Sequence, residues 1–188
     1  MEEQQNYIKR KKMKTEHEFD IEFHDYSVCR LTLRDAQAIQ TLLEECQDYM
    51  LLVDGHPAGT DAAERLWQEM PPEILPDNKF MFGIMHPIKG LVGLLETVRG
   101  YPEEAVWWIG LLLIAPEARS QGLGQKIFSG FVEYIKADGG KAIMLGVVEE
   151  NERAYLFWNR MGFELVRKTE PRQFGDKTQT VSIMGRVI

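Results

Sequence analysis

The chain is short of the residues that build metal and redox sites. It has two cysteines, Cys29 and Cys46, without CxxC spacing. That excludes a thioredoxin-like motif or a disulfide framework, and the pair reads as reduced thiols of a cytosolic, that is cytoplasmic, protein. Its four histidines, His17, His24, His56 and His86, show no HxxxH spacing, so no metal site is expected. No apolar run approaches the ~20 residues of a membrane span. Residues 1–18 are charged and carry no apolar stretch of the signal-peptide kind. Positive charge is also scarce: 22 Lys and Arg stand against 29 Asp and Glu, for a net charge of −7. A nucleic-acid binder needs a basic face, so that class is set aside. The one basic cluster, Lys9, Arg10, Lys11, Lys12 and Lys14, reads as part of a solvated terminal leader. An acidic surface favours cationic partners, as a weak preference. There is no internal repeat and no low-complexity tract.

At 188 residues the chain suits one domain and can bury a core without staples. Residues 1–19 are expected to form a disordered leader and residues 20–188 a single domain. Alternation over 26–33 predicts a first strand. Ala38, Ile39, Leu42, Leu43 and Cys46 predict a helix over 34–50, broken by Asp54-Gly55-His56-Pro57. A short helix over 61–70, with Asp61 as N-cap, ends at Pro71-Pro72. Strands are expected at 79–86, 90–98 and 106–114. The last is apolar almost throughout, as a strand buried on both faces would be. Leu123, Ile127, Phe131 and Ile135 lie four apart, predicting an amphipathic helix over 122–138 that stops at Gly139-Gly140. A strand at 142–148, a helix at 151–161 capped by Asn151 and ended by Gly162, and two closing strands at 164–169 and 178–187 complete the chain. This mixture predicts an α/β fold: a central mixed sheet with helices on both faces.

The segment Ile114-Ala115-Pro116-Glu117-Ala118-Arg119-Ser120-Gln121-Gly122-Leu123-Gly124 carries the chemistry. A strand ends, a turn follows, and glycines open a helix. A helix N-terminus presents unpaired N–H groups and a partial positive charge. Glycines let an anion approach them closely, and Arg119 would add a full charge. The segment is therefore a candidate pyrophosphate site. Ile127 occupies the third glycine position of a dinucleotide fingerprint, and the GK[ST] of a P-loop is absent.

The spacing RxxGxG resembles the pyrophosphate loop of the GCN5-related N-acetyltransferase (GNAT) family. Downstream, Leu145, Val147, Asn151, Ala154, Phe157, Gly162 and Phe163 resemble that family's LxVxxxNxxAxxFxxxxGF segment. The resemblance spans roughly residues 26–187 in element order, with its sharp motifs in 110–163. It implies a GNAT-like acyl-CoA N-acyltransferase fold with acetyl-CoA as acyl donor and a small-molecule or peptide amine as acceptor. It further implies that pantetheine lies where strands 106–114 and 142–148 splay, pairing with backbone near Leu112 and Ile114. The cofactor contacts it implies are Leu112, Ile114, Arg119, Ser120, Gln121, Gly122, Leu123, Gly124, Gln125, Asn151, Tyr155 and Trp158. A homodimer through the closing strands is one option it allows.

One position departs from the family. The usual thiol-protonating tyrosine falls at Trp158, and an indole N–H is a poor proton donor. Tyr155, three residues earlier on nearly the same helix face, is the candidate acid, with lining the cleft wall as its plainer role. For the base, Glu96 is preferred as a lone carboxylate among Leu94, Leu95 and Val98. Glu149 and Glu150 are rivals, and a water relay is another route. Asp54 and His56 are expected to border the acceptor site. Trp107 and Trp108 point to opposite faces, one to the core and one towards the acceptor. The expected function is N-acetyl transfer to a primary amine. A second reading, from another class, is a non-catalytic acyl-CoA-binding sensor, distinguished by the absence of turnover on any amine.

Overall fold

The computed structural model describes residue 19 and residues 25–188. The chain runs β1 (Ser27–Arg30), α1 (Ala36–Glu45), α2 (Gln47–Val53), α3 (Ala62–Gln68), β2 (Lys79–His86), β3 (Gly90–Arg99) and β4 (Val106–Ile114). It continues as α4 (Leu123–Ala137), β5 (Ala142–Val148), α5 (Glu152–Arg160), β6 (Glu164–Lys168), β7 (Arg172–Phe174), β8 (Lys177–Gln179) and β9 (Val181–Val187). Seven strands form one sheet of order β1-β2-β3-β4-β5-β9-β6. All neighbours are antiparallel except β4 and β5. A parallel pair needs a crossover, and α4 supplies it. The expected mixed α/β sheet is what forms.

Helices cover both faces because β4 sends adjacent side chains opposite ways. Trp107 is fully buried, edge-on to Phe131 of α4 at 5.8 Å. Trp108 joins a separate cluster with Leu52 and Val53 of α2. The apolar stripe of α4 buries Leu123, Ile127, Phe128, Phe131, Val132 and Ile135. Gly139, at φ +85°, ends this helix, and the Gly140 N–H bonds to the Ile135 carbonyl. No helix among the described residues is long and apolar enough to cross a membrane.

The structure corrects several expectations. The helix over 34–50 is interrupted at Cys46, whose φ and ψ of −92° and 38° are not helical. The Cys46 thiol donates to the Ile114 carbonyl at 3.6 Å, a tertiary contact that no local breaker announces. Strand β4 is not buried on both faces. Trp107, Ile109, Leu111 and Leu113 are buried, whereas Trp108, Leu112 and Ile114 are half-buried and Gly110 is exposed. The last predicted strand is divided at Thr180: β8 pairs with β7 in a separate two-stranded sheet, and only β9 enters the main one. Of the leader expected at residues 1–19, residues 1–18 lie outside the described residues, and Phe19 is buried edge-on to Phe82 at 4.9 Å.

Phe131→Ala is expected to cost ~3–5 kcal/mol, as for a large side chain removed from a close-packed core. Leu165→Ala on β6, where the side chain is 45% exposed, is expected to cost no more than about 0.5 kcal/mol. Urea denaturation midpoints of the two variants check the contrast.

Candidate active site

Strands β4 and β5 are hydrogen-bonded only from Val106↔Ala142 to Ile109↔Leu145. Beyond that point each follows its outer neighbour. β4 stays on β3 as far as Gly93↔Ile114, and β5 stays on β9 as far as Val148↔Val181. The sheet therefore opens into a fork. The first residues past the last pair are Gly110 and Gly146, both exposed. Their lack of side chains leaves the apex open. The backbone of β4 from 110 to 114 has no β5 partner across the fork. Leu112 and Ile114 lie along this stretch. Backbone polar groups so placed need a partner from outside the sheet.

At the far end of β4, a 3₁₀ turn at Pro116–Ala118 leads to α4. Ser120 and Gly122 both take left-handed conformations, at φ +64° and +84°. Gly122 caps the helix with no side-chain hydrogen bond to its first turn, whose N–H groups have no intrahelical partner. A serine held in this region is a strained residue of the kind that clusters at ligand clamps. The Arg153 guanidinium of α5 donates to Ser120 Oγ at 3.3 Å, bringing a cation to the loop that the sequence analysis did not single out. Gln121 Nε2 donates back to the Glu117 carbonyl. Gln125 is exposed in the first turn of α4, while Leu123 is buried beneath it.

One expectation about this turn changes. Arg119 does not offer a spare charge. Its Nε donates to the Ile114 carbonyl at 2.7 Å, and its two terminal nitrogens grip both oxygens of Asp48 on α2. Gly124 also packs: a Cβ there would meet Ile114 and Phe157 at 3.4 Å, so α4 sits close against β4 and α5 at this residue.

The three candidate bases separate by burial. Glu149 pairs with Lys168, and Glu150 Oε2 lies 2.7 Å from Lys177 Nζ, all at the surface. Glu96 is 6% exposed and pairs with the equally buried Lys79, at 3.3 Å. Burial pushes its carboxyl up, and the Lys79 ammonium opposes that rise. The ladder between β3 and β4 slips beside it: Glu96 faces Leu111 and Thr97 faces Ile109. Gly110 is left over as a bulge at the apex of the fork.

Residues 17–163 match the Acetyltransferase (GNAT) family. The chain belongs to that family. It is 30% identical to N-alpha-acetyltransferase 30 of Schizosaccharomyces pombe over 97 residues, 52% of this chain and 59% of that protein. The chain thus spans little more than half the length of this curated relative. Among solved structures, an acetyltransferase from Thermus thermophilus superposes with a TM-score of 0.71 at 22% identity, covering 87% of this chain and 97% of that one. Spermidine N-acetyltransferase from Vibrio cholerae, in complex with CoA and spermine, gives a TM-score of 0.68 at 19% identity, over 88% and 96%. These likenesses show the fold.

Within this GNAT fold, the remaining motif residues take distinct places. Asn151 caps α5, its side chain accepting from the Ala154 N–H at 3.0 Å. Trp158 is 7% exposed, edge-on to Phe128, Phe157 and Phe163, so its ring serves the core. Tyr155 is half-buried on α5. Asp54 and His56 meet a feature missed by the sequence analysis, the β7–β8 hairpin. The Asp176 N–H bonds to the Asp54 carbonyl, and Lys177 and Gln179 donate to carbonyls at the end of α2. The hairpin's exposed polar sequence gave no signal that it docks there.

The Arg119–Asp48 contact sets a pH dependence. The hydrogen-bonded Arg119 guanidinium holds the Asp48 carboxyl below the usual carboxylate range. A depressed folded-state pKa adds stability above the unfolded value, and that stability is lost as pH falls through the folded one. Asp48 is 60% exposed, so the contribution is modest, ~0.2–1 kcal/mol. Asp48→Asn is expected to lower stability near neutral pH, with the gap to wild type shrinking below about pH 4. Urea melts at pH values on either side check this.

Proposed function

We propose that residues 20–188 act as one domain that transfers the acetyl group of acetyl-CoA to a primary amine of a small molecule or peptide. Family membership supports the donor. The observation that carries the reading is the fork between β4 and β5, which leads into the left-handed turn at Ser120–Gly122. An extended amide-bearing arm fits the edge of β4 beyond Ile109 that has no β5 partner, near Leu112 and Ile114, short of the Ile114 carbonyl that Arg119 and Cys46 occupy. A pyrophosphate fits the first turn of α4, with Arg153 as an added cation. Arg119 acts there through its backbone and by fixing the end of β4. A cytoplasmic setting goes with this reading, supported by the two free thiols.

The chemistry is direct transfer. The neutral amine nitrogen attacks the thioester carbonyl carbon, the C–N bond forms, and the C–S bond breaks with its electron pair going to sulfur. Glu96 takes the proton that the ammonium must lose, directly or through one water. Tyr155 gives a proton to the departing thiolate. A backbone N–H of β4 at the fork stabilises the negative charge on the carbonyl oxygen during attack. The acidic surface favours an acceptor that arrives as a cation. The hairpin at 172–179 and the loop after α2 form the wall against which such an acceptor is selected.

Calorimetric titration with acetyl-CoA tests the donor, with dephospho-CoA for comparison. Saturable binding is expected. A folded protein that takes up no acetyl-CoA at millimolar concentration sinks the reading. Gly122→Val places a β-branched residue at positive φ and blocks the turn, and is expected to weaken acetyl-CoA binding about tenfold or more, near 1.4 kcal/mol. Tyr155→Phe is expected to lower turnover by about 10²-fold, the low end for loss of a general acid, with donor affinity unchanged. Saturable binding without thiol release on any amine would instead favour the sensor reading.

A further inference from the structure

Lys79 is a cation with no exposure to speak of, on the strand next to Glu96 and one diagonal step away. Its ammonium lies 3.3 Å from Glu96 Oε1, donates to the Leu66 carbonyl at 2.5 Å, and donates to the Glu69 carbonyl. An ammonium has three protons, and these three acceptors use them all. Two of the three are backbone groups at the end of α3, so the ammonium cannot follow the carboxylate if it swings. The other carboxylate oxygen, Oε2, points elsewhere. A Cβ on Gly110 would stand 1.9 Å from it, which no real side chain tolerates. Gly110 is at once the bulged residue of β4, the first residue past the last β4–β5 pair, and exposed.

We infer that Lys79 and Gly110 are the positioning residues of Glu96: the ammonium fixes one carboxylate oxygen, and the bulged glycine opens the other onto the fork. This rests on the reading of Glu96 as the base. The other titratable groups around the carboxyl are Glu69, just past α3, and Tyr49 on α2. The Tyr49 phenol is pushed up to about 12, chiefly by burial, and carries no charge at working pH. Glu69 is negative and opposes ionisation of Glu96. Lys79 is thus the counter-charge that keeps a buried carboxylate available as a base. A base works above its pKa. Removing Lys79 raises that pKa and moves the acidic limb of activity to higher pH.

The test uses the full chain and thiol release from acetyl-CoA, with spermidine and a peptide bearing an unblocked N-terminus as probes. The pH profile of kcat/KM is followed alongside a carbon-13 NMR titration of the glutamate side chains. Lys79→Met is expected to raise both the acidic limb and the Glu96 titration by about one unit or more, the usual effect of an opposite charge at this distance. Lys79→Arg is expected to restore most of the shift. Gly110→Ala keeps the counter-charge but displaces Oε2, so kcat is expected to fall at least tenfold with the acidic limb in place. Unshifted profiles in folded Lys79→Met, or full turnover in Gly110→Ala, overturn the inference. If Lys79→Met does not fold, Gly110→Ala and the wild-type titration still decide it, since a Glu96 still protonated near neutral pH contradicts a carboxylate held charged. Undiminished turnover in Glu96→Gln would remove the base reading itself. A dead Glu96→Gln with no Lys79 effect would remove only the positioning role. If wild type turns over neither probe, the Lys79→Met titration alone decides whether Lys79 keeps Glu96 charged.

Discussion

The parting of β4 from β5 is the constraint on which the rest depends. Two parallel strands gain from pairing along their whole length, and leaving backbone groups unpaired carries a cost. They part here because each is held more completely by another strand. β9 pairs with all seven residues of β5, and β3 holds β4 to its end. The last residue of β4 is tied a second time, since the Ile114 carbonyl receives both Arg119 and Cys46. Twist between neighbouring strands then widens the gap instead of closing it. The result is a standing edge of β-sheet in the middle of a sheet, next to a helix N-terminus. In the proposed function this is the order in which a ligand bearing amides and then a pyrophosphate would meet them.

The ion pairs divide the labour along the same lines. Arg119 and Asp48 join the end of β4 to α2, and so fix the kink at Cys46 and the mouth of the fork. Lys168–Glu149 and Lys177–Glu150 are surface pairs, of the sort worth ~0–1 kcal/mol. Among the ion pairs of the described residues Lys79–Glu96 alone is enclosed, and enclosure makes such a pair a poor source of stability: the desolvation cost can exceed the attraction. A buried pair beside a cleft, with one oxygen left uncommitted, makes better sense as chemistry than as a fastening.

What was legible in the sequence was local. The apolar spacing of α4, its stop at Gly139-Gly140, the Asn151 cap and the turn glycine at 122 each depend on neighbours within a few residues, and each forms as expected. What was illegible was contact across the chain. Arg119 finds its carboxylate 71 residues away, and its charge is committed there instead of at the turn. Cys46 breaks a helix with neither proline nor glycine, because its thiol bonds to a strand that follows 68 residues later. Lys79 looked like the first residue of a strand and nothing more. Glu96 stood out as a lone carboxylate in an apolar run, but the Lys79 ammonium that pairs with it lies on the adjacent strand. The resemblance points to the turn at 119–124 as a cofactor loop, but it carried no sign that the Arg119 guanidinium is taken up by Asp48.

The tryptophan at position 158 sharpens which proton matters. A primary amine of pKa ~10.4 is neutral in only about four molecules per ten thousand at pH 7, whereas a thiol near pKa ~8.5 already releases its proton in a few per cent. Losing the acid that would protonate sulfur therefore costs the reaction less than losing the base that frees the amine. Trp158 takes up that tolerance. Its ring closes an aromatic cluster with Phe128, Phe157 and Phe163 beneath the helix that begins at the turn, and so fixes the anion-facing end of α4 from behind. The deprotonation step has no such slack. In the proposed mechanism it falls to Glu96, whose carboxyl burial pushes up while the Lys79 ammonium opposes that rise. On that proposal the heavier catalytic demand falls on the β2–β3 side of the fork, and Tyr155 on α5 meets the lighter one.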